Sequence, residues 1–413
     1  MLDNVERFDM GRKPMRQVLG PLIRLLSIPA LIKHKQKIIK TNMEGIKPPY
    51  LLLCNHNAFY DFMVESKATF PKRSNYVIAI DGFIKREYLL RLVGGICKRK
   101  FTNDITLIKQ LKTVIDNKDI AVIYPEARYS LCGTQSDLPK SLAQLVKYLN
   151  VPVVTLICHG HHVNFPFYNI YDHNMKGFVA EMTCIIKKNE VNNLTLEDIM
   201  DRINEKFVYD DFKWQKDNNI LCTYKKRAEG LEKILYKCPC CGEEYHMSSS
   251  LTTLKCNSCG KEWYMTELSE LKAVDGKDIY THIPDWYEWE RECVRKEVEE
   301  GKYYFKSKVR VDSLPNAKGY IDLGEGELIH DINGFKLTGS YKGEDYKVEI
   351  DSKGQYSVHI EYEYLHKFGD CIDLNTLNDT LYVYPKDCLF SVTKISLATE
   401  EIYKFLNKKK VSE

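Results

Sequence analysis

A histidine with an aspartate five positions later stands in the segment Cys54-Asn55-His56-Asn57-Ala58-Phe59-Tyr60-Asp61, and of the eleven histidines only His56 has this spacing. In a continuous helix, five residues set two side chains about 140° apart. The pair therefore meets only where His56 lies in the turn before a helix and Asp61 in its first or second turn. The carboxylate then fixes one ring nitrogen, and the other faces a pocket as a base. This is the dyad of a serine hydrolase without its serine, so the activated hydroxyl must belong to the substrate.

Two further segments carry polar chemistry behind apolar runs. Tyr124-Pro125-Glu126-Ala127-Arg128-Tyr129-Ser130 follows Ile120–Ile123 and sets a carboxylate and a guanidinium on one tight loop. Glu126 and Arg128 can orient each other, leaving the guanidinium to meet an anionic oxygen such as phosphate. Lys98-Arg99-Lys100 follows Gly94-Gly95-Ile96 and adds positive charge. A base with converging cations describes transfer onto a hydroxyl of a phosphorylated molecule.

The elements that must hold these residues read as alternating strands and helices. Tyr50–Cys54, Tyr76–Ile80, Ile120–Tyr124, Val151–Ile157 and Met182–Ile186 are apolar runs expected as buried strands. Phe83–Leu92, Asp104–Asn117 and Leu138–Leu149 are expected helices, with Asp104 and Asp137 as caps. Such alternation predicts an α/β sheet with parallel pairing, whose ligands bind beyond the carboxyl ends of its strands.

Asn55-His56 with Asp61, the Gly/basic segment at 94–100, Tyr124-Pro125-Glu126 and Val151-Pro152-Val153 stand in the order of four motifs. In this the chain resembles the glycerolipid acyltransferase family, the one containing 1-acylglycerol-3-phosphate acyltransferases, over roughly residues 45–190. The resemblance implies transfer of an acyl chain from acyl-CoA or acyl carrier protein to a hydroxyl of a lysophospholipid or glycerol-phosphate acceptor. It implies His56 as general base in an HxxxxD motif, Asp61 as its partner, Glu126 and Arg128 shaping the acceptor site, and Arg99 on the acceptor phosphate, with Lys98 and Lys100 as near rivals. No organic cofactor is implied. The third motif is one residue shorter here than the family's usual Glu-Gly-Thr-Arg, and Thr155 stands where a second proline is frequent in the fourth.

Cys238-Pro239-Cys240-Cys241-Gly242 and Cys256-Asn257-Ser258-Cys259-Gly260 form two C-x2-C pairs around a 14-residue spacer. Glycine after each pair permits the tight turn that brings thiolates to one ion. Four thiolates, Cys238, Cys241, Cys256 and Cys259, make a closed and therefore structural zinc site, as in a zinc ribbon. Cys240 and His246 are the alternative ligands. Cys158-His159-Gly160-His161-His162 sets three histidines in four positions, which could bind metal, but with no carboxylate or cysteine partner at a definite spacing it is expected as pocket wall or polar loop. Cys54, within Leu51–Cys54, is expected as a core thiol.

The 413 residues are 44% apolar and 28% charged, with a net charge of +3. This excludes a disordered chain and a surface given over to nucleic acid, and no nucleic-acid partner is expected. Residues 1–48 hold ten lysines and arginines against four acidic residues. They are expected as a basic amphipathic membrane-interface segment of short helices broken at Pro21 and Pro29. Next come the acyltransferase domain (49–235), the zinc ribbon (236–266), a helical connector (267–301) carrying Trp286 and Trp289, and a β-rich domain with a final helix (302–413). The last is compatible with a small helix-capped barrel of the pleckstrin-homology kind. Without a long apolar run or a signal peptide pattern, and with fourteen scattered cysteines, the expectation is a cytoplasmic protein, peripheral on the cytoplasmic face of a membrane. A non-catalytic lipid- or protein-binding adaptor is the competing reading. A nucleic-acid-associated zinc protein using Lys255 and Lys261 is the third.

Overall fold

The computed structural model describes residues 5–169, 171–388 and 391–411; the first four residues of the expected basic segment lie outside them. Two compact units emerge. One comprises Asp9–Lys98 and Asn103–Tyr224; the other comprises Met1–Phe8, Arg99–Thr102 and Lys225–Glu413.

The first unit is built on strands β1 (Lys37–Thr41), β2 (Leu51–Cys54), β3 (Ser74–Ala79), β4 (Gly95–Lys98), β5 (Ile120–Ile123), β6 (Val153–His159) and β7 (Val179–Ile186), in the order β1-β7-β6-β2-β5-β3-β4. All pairs are parallel except β6 with β7. All four residues of the central strand β2 are buried, as expected of a strand covered on both faces. Its neighbours are β5 on one side, with Leu53 opposite Ile123, and β6 on the other, with Cys54 opposite Leu156. The carboxyl ends of β2, β5 and β6 therefore lie side by side.

Helices α1 (Gly20–Lys33), α2 (Tyr60–Thr69), α3 (Glu87–Leu92), α4 (Ile105–Asp116), α5 (Ser141–Leu149), α6 (His161–Asn164), α7 (Lys188–Val191), α8 (Leu196–Lys206) and α9 (Asp211–Asp217) complete this unit. Asp104 caps α4 by accepting from the Thr106 amide at 2.8 Å. Asp137 does not cap α5. That helix starts at Ser141, because Pro139 disfavours helical geometry at the residue before it. The expected helix 83–92 is split, with a 3-10 turn at Ile80–Phe83 before α3.

The N-terminal segment also departs from expectation. Pro21 sits in the first turn of α1, where its missing N–H costs nothing, and Pro29 lies inside, so one helix runs unbroken to Lys33. Lys37–Thr41 then joins the sheet edge beside β7. Ile23, Ser27 and Leu31 face inward, while Val18, Leu22, Leu25, Leu26 and Ile32 are exposed.

In the second unit, β8 (Met247–Ser250), β9 (Thr253–Cys256), β10 (Glu262–Met265) and β11 (Leu271–Ala273) form an antiparallel sheet. α10 (Ile283–Glu299) follows, with Trp286 buried against Trp263 (ring centroids 4.9 Å apart) and donating through Nε1 to the Lys237 carbonyl. The tryptophans expected on this helix thus serve packing. Strands β12 (Phe305–Ser313), β13 (Ile321–Asp331), β14 (Gly334–Tyr341), β15 (Glu344–Asp351), β16 (His359–Glu361), β17 (Cys371–Asn375) and β18 (Thr380–Pro385) pair antiparallel in the order β15-β14-β13-β12-β18-β17-β16. Its end strands, β15 and β16, are not paired with each other among the described residues. The last helix, α11 (Ser391–Val411), joins α10 through Arg291 to Glu400 and Arg295 to Glu401.

Candidate active site

The loop after β2 carries the first motif, and its geometry follows from one carboxylate. Asp61, in the first turn of α2 and 1% exposed, accepts through Oδ2 from the Asn57 amide at 2.6 Å, the Ala58 amide at 2.9 Å and His56 Nδ1 at 3.2 Å. Two of these are backbone donors near a helix N-terminus, where a carboxylate is favoured. Burial alone pushes the Asp61 carboxyl up. The hydrogen bonds from His161 and His56 outweigh it and hold this group well below the usual carboxylate range.

With Nδ1 of His56 donating to Asp61, Nε2 is left to accept a proton. The ring lies between Tyr124 and Tyr129, at centroid distances of 4.2 and 4.3 Å, and its side chain keeps 22% exposure. The loop after β5 thus supplies the walls of the imidazole slot, and Ser130 N donates to the His56 carbonyl at 2.8 Å. Asn55 stitches the other neighbour: its amide bonds both the carbonyl and the N–H of Cys158 at the end of β6 (2.9 and 2.8 Å). Cys54 is buried in the core, and burial pushes its thiol well up.

The residues expected around the acceptor behave differently. Glu126 is 1% exposed; Tyr209 donates to both its oxygens (3.1 and 3.0 Å) and the Ser136 amide to Oε2 (2.8 Å). Glu126, expected toward the acceptor, is thus held by Tyr209 and by its own loop. Arg128, also buried, lies 3.3–3.4 Å from Ser136 Oγ. Arg99, also expected toward the acceptor, is enclosed as well. Its guanidinium, 2% exposed, donates to the carbonyls of Leu314, Pro315 and Asn378 and to Thr380 Oγ1, all within the second unit. Lys100 is paired there with Asp373 and Glu361.

Two groups escaped the sequence reading. His161 donates from Nδ1 to Asp61 Oδ1 at 2.5 Å. Asp211 accepts from the His162 amide at 2.7 Å and Asn57 Nδ2 at 3.2 Å. The His-rich run was visible, but its partners lie about 100 residues upstream and some 50 downstream.

Burial keeps protons on three carboxyls here, pushing Glu126 up to about 7 and Asp211 and Glu65 up to about 8, each against partial opposition from hydrogen bonds. The folded chain therefore holds protons that an unfolded chain has released, and stability falls as pH rises through these values. His162, pushed down to about 3 by burial, opposes this only below the ordinary histidine range. Melting temperature should fall steadily from pH 6.5 to 8.5; a rise over that window would refute the assignment.

Residues 32–159 match the family model described as Acyltransferase. This part of the chain is similar to the acyltransferase family. The match spans β1, β2, α2, β5 and β6, hence the His56–Asp61 loop. The chain is also similar to the crystal structure of the 1-acyl-sn-glycerophosphate (LPA) acyltransferase PlsC from Thermotoga maritima, at 12% identity and a TM-score of 0.38, covering 46% of this chain and 76% of that one. No curated protein matches the chain.

Beyond the matched residues, Cys238, Cys241, Cys256 and Cys259 bring their sulfurs within 4.8 Å of one another. Cys238 lies 3.8 Å from Cys259, and Cys241 lies 3.7 Å from Cys256. Four thiolates on a tetrahedral ion with bonds of about 2.3 Å stand about 3.8 Å apart, so the set fits zinc. Cys240 and His246 do not join it.

Proposed function

We propose that the chain is a membrane-associated acyltransferase, moving an acyl chain from acyl-CoA or acyl carrier protein to a hydroxyl of a lysophospholipid or glycerol-phosphate acceptor. The observation that carries this reading is a part-exposed imidazole whose Nδ1 is held by the buried Asp61 carboxylate, at the carboxyl end of the central strand of a domain similar to the acyltransferase family. His56 Nε2 takes the proton as the acceptor oxygen attacks the thioester carbonyl. The carbon–oxygen bond forms, the tetrahedral adduct collapses, and the carbon–sulfur bond breaks. The thiolate leaves with the proton that His56 returns. Arg128, buried beside Ser136 on the loop whose Tyr129 packs on His56, is the cation assigned to the acceptor's phosphate, on the strength of the motif it belongs to.

The test is a matrix of acyl-CoA and acyl carrier protein donors against lysophospholipid and glycerol-phosphate acceptors, with products identified by mass spectrometry. Absence of ester product from every pairing would overturn the reading.

The lipid surface is assigned to α1. Leu22, Leu25, Leu26 and Ile32 share one exposed side of that helix, with Lys33, Lys35 and Lys37 exposed at and beyond its end. An apolar face beside cations suits the interface of an anionic bilayer. No helix among the described residues is long and apolar enough to cross a membrane. Leu25→Asp with Leu26→Asp should cut co-sedimentation with anionic phospholipid vesicles at least about tenfold, since each buried leucine contributes about 1.5–3 kcal/mol. Unchanged vesicle binding would remove α1 as the contact. The four-cysteine cluster is assigned one structural zinc ion, supported by its sulfur spacing.

A further inference from the structure

Asp61 serves two imidazoles. His56 binds its Oδ2, and His161, wholly buried at the start of α6, binds its Oδ1. The opposite nitrogen of His161, Nε2, lies 3.0 Å from Gln36 Oε1, while Gln36 Nε2 donates to the Lys37 carbonyl at 2.8 Å. That second bond fixes the orientation of the Gln36 amide, so both ring nitrogens of His161 face oxygen. Tyr60 and Phe178 close the edges of the ring, at centroid distances of 4.8 and 5.5 Å.

We propose that His161 is a positioning residue for the base: it pins Asp61 Oδ1 so that Oδ2 stays aimed at His56, and Gln36 holds His161 in turn. The proposal rests on the acyl-transfer reading and deepens it. A carboxylate bonded through one oxygen only can rotate, and each rotation would release the tautomer that makes His56 a base.

Burial dominates the groups packed around this cluster. Burial pushes up the thiols of Cys54 and Cys158 and the phenols of Tyr60 and Tyr124. It pushes down the imidazoles of His159 and His162, and it lifts Asp211 to about 8. The Asp61 carboxylate is shared between two imidazoles, one on each oxygen, and His161 limits the share reaching His56.

The test uses the full chain with selectively labelled histidine, in wild type, His161→Leu, His161→Asn and Gln36→Leu. Each is followed by NMR titration of the His56 imidazole, by kcat and KM, and by a melting curve. His161→Leu should lower kcat about ten- to a hundredfold, by analogy with outer partners that orient metal-bound histidines, with KM within about twofold. It should also move the His56 midpoint to higher pH, because the carboxylate loses its second donor. His161→Asn, which keeps an amide donor, should restore much of both, and Gln36→Leu should shift both in the same direction by less. An unmoved midpoint with kcat within about twofold in a folded variant overturns the proposal. Should His161→Leu fail to fold, the other two variants decide by the same criteria. Should wild type transfer no acyl chain, the function above falls, and the titration alone decides whether His161 acts on His56.

Discussion

His56→Ala should lower kcat for acyl transfer by about 10²–10⁴-fold, the contribution of a positioned general base, while the fold survives. The imidazole is held by one side-chain bond and by contact with the rings of Tyr124 and Tyr129. Its removal costs about 0.5–1.5 kcal/mol of aromatic contact and buries no charge. KM for the acyl donor should change little, because the ring acts on the acceptor's proton. Asp61→Asn is the poorer probe. Asp61 takes hydrogen bonds from two amides and two imidazoles at a buried position, so its replacement disturbs the loop as well as the base. Circular dichroism and a melting curve on His56→Ala, beside release of free thiol from acyl-CoA, make the check. Turnover within about threefold of wild type would remove His56 from the chemistry.

Removing metal should produce the largest loss of stability. Structural zinc sites supply an apparent binding energy of about 10–16 kcal/mol, and here the cluster is coupled to a core. Cys238 and Cys256 are fully buried. Next to Cys238, the Lys237 amide donates to Glu290 of α10 at 2.8 Å, and Trp263 of β10 packs on Trp286 of the same helix. Loss of the ion should therefore loosen α10 and, through Arg291 and Arg295, α11. Cys256→Ser should reduce bound zinc from about one per chain to near zero and lower stability by at least about 3 kcal/mol, a fraction of the binding energy. A strong chelator should act the same way on wild type. Elemental analysis alongside calorimetry tests it: a metal-free chain with an unchanged melting curve would show that the thiols hold no ion.

What the chain alone revealed follows from which forces are local. Leu51–Cys54, Ile120–Ile123 and Val153–His159 were legible because strands covered on both faces need unbroken apolar runs. The cysteine pairs were legible because metal geometry constrains ligand spacing along the chain, and the His56–Asp61 pair because it closes within one turn at a helix start. Lys37–Thr41 and Cys371–Asn375 were missed as strands. The first has hardly any buried residues, and the second alternates no polar face, since all but Asn375 are buried.

The tertiary structure alone decided which charged residues are available. Arg99 and Glu126 read as a cation and an acid for a ligand, yet the terminal nitrogens of Arg99 and both oxygens of Glu126 are hydrogen-bonded inside the protein. A sequence records that a charge exists but not how much water reaches it. His161 is the converse case. Its carboxylate lies 100 positions away, and the contact exists only because β6 pairs directly with β2. Chemistry within one turn of chain is written in the order of residues, whereas partnership across a sheet is set by strand order, which depends on the packing of the whole domain.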